Sequence, residues 1–589
     1  MSRIAIVNKD KCNPVNCGNH FCMRICPRNM LGEECIVKGP DSKPIIDEVL
    51  CTGCGICTHR CIFEAIRIIN LPEALKENPV HRFGANAFEL FHLPIPKKGK
   101  VVGIIGRNGI GKSTAFNILS GKVIPNLGNY NKEPSKEEII AKYSTTQLGD
   151  YFRQLYANKI VVSYKPQRIE LLPKVYSGKV GALLKKIDER KISEKLMKEL
   201  ELENLKDREL SQLSGGELQK VAIIAAASKK ADVYYFDEPA SFLDVTARIK
   251  VAKLIRDLAE DSAVLVVEHD LATIDYISDE IQIVYGQAGA YGVISNSQGV
   301  SRGINEYLDG FITSDNVRFR DYSIVFGKYN VEKRRHEILF ELPEFEKSFG
   351  DFKLKTIKGE IIKGEVMTIM GANGLGKTTF LKLLAGEIKP DKGLVKEKIK
   401  IAYKVQYPTS DVEGTVQMWL LKSARELFNS GWYKQNILEK LGLNKLLDNE
   451  IKHLSGGELQ KVYIAVTLSQ DADIYAFDEP SAFIDVEDRL KVAEVIKEFI
   501  IKKDKAAIVV DHDVQFIDYI SDSMLVFEGV PGKHGKVEGP LSKTDGMNKV
   551  LKMLDITYRV DKENNRPRIN KHNSALDKTQ KKENKYYRS

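Results

Sequence analysis

Nine residues of this chain, LSGGELQKV at Leu213–Val221, return letter for letter at Leu454–Val462. An identical nonamer within 589 residues means that one structural unit is present twice. The order of features around each copy is shared as well. Downstream, an apolar run ends in Asp-Glu-Pro (Asp237, Glu238, Pro239 and Asp478, Glu479, Pro480), and a second apolar run ends in His-Asp (His269, Asp270 and His512, Asp513). Ser214 and Ser455 lie 241 positions apart, as do Asp237 and Asp478. Upstream, each copy has a glycine-rich loop, Gly106-Arg-Asn-Gly-Ile-Gly-Lys112-Ser113 and Gly371-Ala-Asn-Gly-Leu-Gly-Lys377-Thr378. A chain built this way folds as a tandem of α/β modules rather than around one core.

A glycine-rich loop that follows a strand and opens a helix presents backbone N–H groups and the positive helix end to phosphates. The candidate ATP contacts are Gly106, Asn108, Gly109, Gly111, Lys112, Ser113 and Thr114 in the first copy. In the second they are Gly371, Asn373, Gly374, Gly376, Lys377, Thr378 and Thr379. Lys112 and Lys377 are placed for the β- and γ-oxygens, and Ser113 and Thr378 carry the hydroxyl suited to Mg²⁺. Asp237 and Asp478 each end a short apolar strand, where a carboxylate is placed to hold the same ion. Glu238 and Glu479 follow directly, and a carboxylate there can orient or deprotonate an attacking water. His269 and His512 end the next apolar strand; recurrence in both copies favours a γ-phosphate sensor over a structural histidine. Phe83 and Phe88 precede Gly106 by 23 and 18 residues, and Phe349 and Phe352 precede Gly371 by 22 and 19. One of each pair is a candidate for stacking on adenine, and core packing explains an aromatic there equally well.

All nine cysteines lie at or before position 61. Cys51-x2-Cys54-x2-Cys57-x3-Cys61 has the bacterial ferredoxin spacing, and Cys12-x4-Cys17-x4-Cys22-x3-Cys26-Pro27 is a looser form of it. In two-cluster ferredoxins the fourth cysteine of each run ligates the other cluster. The expected sets are therefore Cys12, Cys17, Cys22 and Cys61 for one [4Fe-4S] cluster and Cys26, Cys51, Cys54 and Cys57 for the second. Cys35 is left over. Ile62 stands where a proline is expected after Cys61, and the gap before Cys22 is longer than the pattern. Zinc is the rival ligand. Disulfides are disfavoured beside nucleotide-binding modules of a reducing compartment, and clusters that only staple a domain too small for a large core are an alternative the sequence leaves open.

The length suggests about four domains. No apolar run approaches the ~18 residues of a membrane helix, and Ile4–Val7 is too short for the core of a signal peptide, so a soluble, intracellular protein is expected. The net charge of +9 allows a nucleic-acid partner without requiring one.

From Lys112 to Gln167 is 55 residues, whereas from Lys377 to Gln406 is 29, so the first copy holds 26 extra residues, near 126–159. Ser135-x-x-Glu138 is a capping box, and Leu148, Tyr151, Phe152, Leu155 and Tyr156 form a helical stripe. A projecting helix-loop-helix is expected there, more suited to a partner than to decoration. The expected units are 1–75, the cysteine-rich domain; 76–285, the first module with its insertion; 286–320, a glycine-bearing hinge; 321–530, the second module; and 531–589, a second hinge region and basic tail. Residues 561–589 hold nine Lys or Arg against four Asp or Glu, which reads as a solvated tail or as a phosphate-binding one.

Phosphate loop, glutamine (Gln167, Gln406), LSGGE, Asp-Glu-Pro, a following loop (Ser241 to Asp244; Ala482 to Asp485) and histidine, in that order and twice, resemble the twin nucleotide-binding domains of the ATP-binding cassette superfamily. The resemblance implies head-to-tail domains with each ATP between one phosphate loop and the opposite LSGGE. Site one would join Lys112, Glu238 and His269 to Ser455, Gly456 and Gly457. Site two would join Lys377, Glu479 and His512 to Ser214, Gly215 and Gly216. Gln167 and Gln406 would touch ATP and Mg²⁺. A serine and two glycines opening a helix form an anion cradle in their own right, and a plain helix cap is the rival reading.

Together with Cys51-Thr-Gly-Cys-Gly-Ile-Cys57 and Arg566-Pro-Arg-Ile-Asn-Lys571, the whole chain is similar to ATP-binding cassette subfamily E, the RNase L inhibitor family. That implies an α/β fold, two nucleotide-binding domains behind a small ferredoxin-like α+β iron-sulfur domain, in a monomer with an internal pseudo-dimer. It implies a cytoplasmic ATPase that splits ribosomes after termination or stalling. Such an enzyme works with a release factor or Pelota-type protein and stays on the small subunit, touching rRNA and protein. A transporter ATPase and a redox enzyme are the rival classes. Because ATP bridges the two modules and ADP lacks the γ-phosphate, closure of the modules should follow the γ-phosphate.

Overall fold

The computed structural model describes residues 3–70, 78–326, 337–393, 399–406, 408–561, 566–571 and 573–588. The expected boundary at 75/76 lies outside the described residues, as do 327–336 of the expected second module and 562–565 of the expected tail.

Residues 3–70 hold the antiparallel strands Arg3–Val7 and Ile66–Asn70, a hairpin of Ile36–Lys38 with Pro44–Ile46, and short helices that include Phe21–Ile25 and Ile56–Arg60. Their core is small, and the thiols of Cys12, Cys26, Cys35 and Cys57 are part of it beside Val7, Ile36 and Ile66.

The two modules share one sheet topology. In the first, the strands Val162–Lys165, Val233–Asp237, Ala263–Val267, Val101–Gly106 and Glu280–Gln287 lie side by side and parallel. Tyr291–Ile294 then runs antiparallel, followed by Glu89–Phe91 and His81–Arg82 at the edge. The second repeats this with Ile401–Lys404, Ile474–Asp478, Ala506–Val510, Val366–Met370 and Ser523–Val530, then His534–Ser542, Phe352–Lys355 and Glu346–Phe349. Helices cover both faces of the parallel strands, so Val101–Gly106, Ala263–Val267 and Ala506–Val510 are buried at every residue and read as unbroken apolar runs. The phosphate loops, Asp237, Glu238, Asp478 and Glu479 all fall at the carboxyl ends of these strands, where open α/β sheets bind ligands.

The insertion forms helices Lys136–Lys142 and Gln147–Tyr156, and Ser135 and Glu138 close the capping box. It lies on the module rather than projecting from it. Ile139, Leu148, Tyr151 and Phe152 are buried in the module core, and Tyr151 Oη donates to the Leu119 carbonyl at 2.6 Å. The stripe was apolar because it faces inward; Lys136, Glu137 and Glu138 carry the outer face.

Residues 286–320, expected as a hinge, are ordered. The first sheet continues through Tyr291–Ile294, and the helix Val300–Asp309 buries Ile304, Tyr307 and Leu308. The glycines that suggested flexibility serve close approach instead. A Cβ on Gly292 would stand 1.9 Å from the Ile110 carbonyl beneath the phosphate loop, and one on Gly286 would stand 2.3 Å from the Tyr291 carbonyl. The region from 531 differs in the same way: His534–Ser542 is a strand of the second sheet, and Tyr558–Val560 pairs with Pro567–Ile569 ahead of the helix Ala575–Lys582. Several of the basic residues there are engaged within the chain. Arg568 makes a two-pronged bond to Asp275 of the first module at 2.8 and 3.0 Å, buried Arg566 lies 3.5 Å from the same carboxylate, and Lys581 meets Asp577. Gln515 of the second module donates to the Pro567 carbonyl, so this segment is held by both modules.

Candidate functional site

Each phosphate loop is shaped by glycines in the left-handed region, Gly109 and Gly111 at φ 75° and 94°, and Gly374 and Gly376 at 78° and 91°. A Cβ on Gly111 would come within 2.9 Å of the Phe88 ring, and one on Gly376 within 3.0 Å of the Phe352 ring. Phe88 and Phe352 thus pack beneath the loops, while Phe83 and Phe349, 56% and 46% exposed, keep open rings.

Lys112 Nζ donates to the Gly106 and Arg107 carbonyls at 2.8 and 2.6 Å, and Lys377 Nζ to those of Gly371 and Ala372, both at 2.8 Å. Burial draws both ammonium groups down to about 8. Ser113 Oγ donates to Asp237 at 2.9 Å and Thr378 Oγ1 to Asp478 at 2.7 Å. Asp478 Oδ1 is buried and accepts no hydrogen bond among the described residues. A hydroxyl, a carboxylate and a spare buried oxygen at one point suit Mg²⁺. Thr379 lines the cleft of the second module, and Thr114 lies in the first turn of the helix Lys112–Leu119.

Glu238 and Glu479 both have φ 48°, a conformation rare for a residue with a side chain. Gln167 Nε2 donates to Glu238, and Gln406 Nε2 donates to Glu479 at 2.7 Å. His269 Nε2 lies 3.3 Å from Glu238, and His512 Nε2 lies 3.6 Å from Glu479. Neither nitrogen has a hydrogen-bond partner among the described residues, which leaves each ring able to meet a phosphate. The two carboxyls differ. Burial alone raises both, but beside Glu238 the His269 ring and Lys112 outweigh it and hold the group at about 2. At Glu479, burial together with Asp478 and Asp511 prevails and lifts it to about 7. Ser241 Oγ also donates to Glu238 Oε2 at 3.1 Å, and Ala482 stands at the matching place.

The modules meet head to tail at these sites. A cleft of about 970 Å³ is lined by Ser214, Gly216 and Asp244 of the first module and by Lys377, Thr378 and Glu479 of the second. Asn373 N donates to Asp244 at 2.9 Å, and a Cβ on Gly216 would be 3.9 Å from Asn373 Nδ2. On the other side Asn108 Nδ2 donates to the Phe483 carbonyl at 3.5 Å. Ser214 and Ser455 each cap their helix in a reciprocal box with Glu217 and Glu458, so the plain helix-cap reading holds, and Ser214 and Gly216 also line the cleft. Gly215 and Gly456 occupy the first position of those helices. Asp244 and Asp485 were named from the sequence only as the ends of the loops after Asp-Glu-Pro, with no role given. Each caps the helix after its loop and lies within electrostatic reach of the other module's histidine and lysine, His512 and Lys377 for Asp244, His269 and Lys112 for Asp485. Their recurrence at matching places after Asp-Glu-Pro was the available signal.

The cysteines gather about two cavities. Cys26, Cys51, Cys54 and Cys57 line one, with Cys35 on its wall, and Cys12, Cys17, Cys22 and Cys61 line the other, with Cys57 between them. All nine are free thiols. Two groups of four thiols are a donor set suited to iron-sulfur clusters.

A family profile described as ABC transporter matches residues 95–241 and 354–482. ABC transporter E family member 1 of Arabidopsis thaliana is 43% identical over 100% of this chain and 99% of its own length. Among solved structures, a model of ribosome-bound archaeal Pelota and ABCE1 is 51% identical with a TM-score of 0.95, covering 100% of this chain and 99% of that one. A crystal structure of the archaeal ribosomal stalk protein aP1 with the archaeal ribosome recycling factor aABCE1 is 48% identical with a TM-score of 0.82, covering 87% of this chain and 100% of that one. No helix among the described residues is long and apolar enough to cross a membrane.

Proposed function

The chain belongs to ATP-binding cassette subfamily E, the RNase L inhibitor family, and from that premise we propose an ATP-driven ribosome-recycling factor that separates ribosomal subunits after termination or stalling. It hydrolyses ATP and is not a membrane transporter. Its partners are the ribosome, chiefly the small subunit, and a release factor or Pelota-type protein, and its compartment is the cytoplasm. The observation that carries this reading is the cleft joining Ser214 and Gly216 to Lys377 and Glu479, because a nucleotide held there ties one module to the other.

In this reading Lys112 and Lys377 leave their loop carbonyls for the phosphates, and Ser455 to Gly457 or Ser214 to Gly216 receive the γ-phosphate from the opposite side. Glu238 and Glu479 orient the attacking water, and His269 and His512 sense the γ-phosphate. Ser113, Asp237 and Gln167, or Thr378, Asp478 and Gln406, would hold Mg²⁺, and the ion would supply neutralisation of phosphate charge there. The open rings of Phe83 and Phe349 are better placed for adenine than those of Phe88 and Phe352. Cys12, Cys17, Cys22 and Cys61 would hold one [4Fe-4S] cluster and Cys26, Cys51, Cys54 and Cys57 the other, with Cys35 outside both sets. Iron-thiolate bonds would supply the cross-linking that a core of this size lacks. The cysteine-rich unit is then what the closing modules displace against the ribosome. The two cassettes are proposed to extend through Gly299 and Ser542, where their sheets end.

Sucrose-gradient sedimentation of ribosomes incubated with the protein and a Pelota-type factor tests the function. With ATP the ribosome peak should give way to subunits, and with a non-hydrolysable analogue the protein should travel with the small subunit. An unchanged ribosome peak with ATP would refute it.

A further inference from the structure

Beneath each candidate catalytic glutamate lies a buried lysine that no nucleotide motif accounts for. Lys165, 1% exposed, ends the strand Val162–Lys165, and its Nζ donates to the Asp237 carbonyl at 2.8 Å and the Glu238 carbonyl at 3.1 Å. Gln219, wholly buried on the helix Gly215–Ala227, donates to the Glu238 carbonyl at 2.7 Å and to that of Pro239 at 3.0 Å. The second module repeats the arrangement: Lys404 Nζ reaches the Asp478 and Glu479 carbonyls at 2.8 and 3.3 Å, and Gln460 donates to the Glu479 carbonyl at 2.6 Å.

A buried ammonium group is costly unless it is bonded, and burial does draw Lys165 and Lys404 down to about 8, against the pull of the neighbouring carboxylates. A fold that only needed to fill this space would use an apolar side chain. What the donors meet is the peptide that turns into the left-handed conformation at Glu238 and Glu479, and such a conformation persists only where its surroundings over-determine it. The helices that bring Gln219 and Gln460 open with Ser214 and Ser455, and Ser214 lines the cleft that also holds Lys377 of the opposite module.

We propose that Lys165 with Gln219, and Lys404 with Gln460, are positioning residues. They clamp the Asp-Glu peptide so that the Glu238 or Glu479 carboxylate is aimed at the attacking water, and they anchor it on the helix that serves the opposite site. The proposal rests on the reading of Glu238 and Glu479 as the catalytic carboxylates.

The test is steady-state hydrolysis and nucleotide binding by the full chain carrying Glu479→Gln, in which site one alone turns over. Lys165→Met and Gln219→Met should each lower kcat about 10- to 100-fold, since misaiming by about an ångström has that effect. KM and the affinity for ATP should stay within about twofold. Lys165→Arg, which keeps a cationic donor, should recover part of the loss. Parental kcat in either methionine variant, or a loss of ATP binding in step with activity, overturns the clamp. Glu238→Gln in the same background separates the two readings: if it hydrolyses ATP at the undiminished rate, the catalytic assignment fails, whereas a slow Glu238→Gln beside a fast Lys165→Met rejects only the clamp.

Discussion

Ser241 and Ala482 are the smallest difference between the two ATP sites with a visible consequence. The Ser241 hydroxyl fixes the second oxygen of Glu238, whose first oxygen is held by Gln167; at Glu479 only the Gln406 bond is matched. One hydrogen bond of this kind contributes about 0.5–1.5 kcal/mol, or roughly a two- to tenfold effect on rate if it is made in the transition state. Ser241→Ala in the Glu479→Gln background should therefore slow site one by that factor, and Ala482→Ser in a Glu238→Gln background should quicken site two. Rates of phosphate release check both; equal rates before and after the exchange would mean that the loop difference is neutral. The sequence showed that the loops differ. It could not say that the serine faces the carboxylate, because that depends on the left-handed turn at Glu238.

At the scale of elements, legibility followed the kind of signal. Glycine-rich loops, Asp-Glu-Pro and the capping box at Ser135 are local patterns with one structural meaning, and each lies where the sequence put it. Gly286 and Gly292 misled because a glycine needed for close approach to a carbonyl looks the same in sequence as one needed for flexibility. Arg566 and Arg568 misled because Asp275, their partner, is about 290 residues away, and a charge run says nothing of distant carboxylates. The insertion's stripe was legible as a helix but not in direction. Phe152 is wholly buried among Ile139, Leu148 and Tyr151, so Phe152→Ala should cost about 3–5 kcal/mol and lower the melting temperature of the first module, with KM for ATP unchanged. A variant melting like the parent would show that these helices are a detachable surface element.

Across the whole molecule, the structure already has both interfaces engaged: Asp244 meets Asn373, Asn108 meets the Phe483 carbonyl, and the rings of Phe242 and Phe483 lie edge to face at 5.3 Å. Going from mostly open to mostly closed takes about 5.5 kcal/mol of differential binding. In the proposed composite sites two bridged nucleotides, each with several charge-assisted bonds of ~1.5–3 kcal/mol, would supply it, and ADP lacks the phosphate that the opposite helix would meet. Labels on the two modules should report a shorter separation with a non-hydrolysable ATP analogue than with ADP, and identical distance distributions would exclude a γ-phosphate-driven clamp.

The head-to-tail seam also dictates how lesions combine. In the proposed composite sites Lys112 and Ser455, 343 positions apart, serve one nucleotide, whereas Lys112 and Ser214, in the same module, serve different ones. A second substitution at Ser455 should therefore add little to the damage done at Lys112, while one at Ser214 should compound it. Plotted along the chain, epistasis would trace two crossed diagonals rather than two blocks, and a selection scan that grouped variants by module would sort them wrongly.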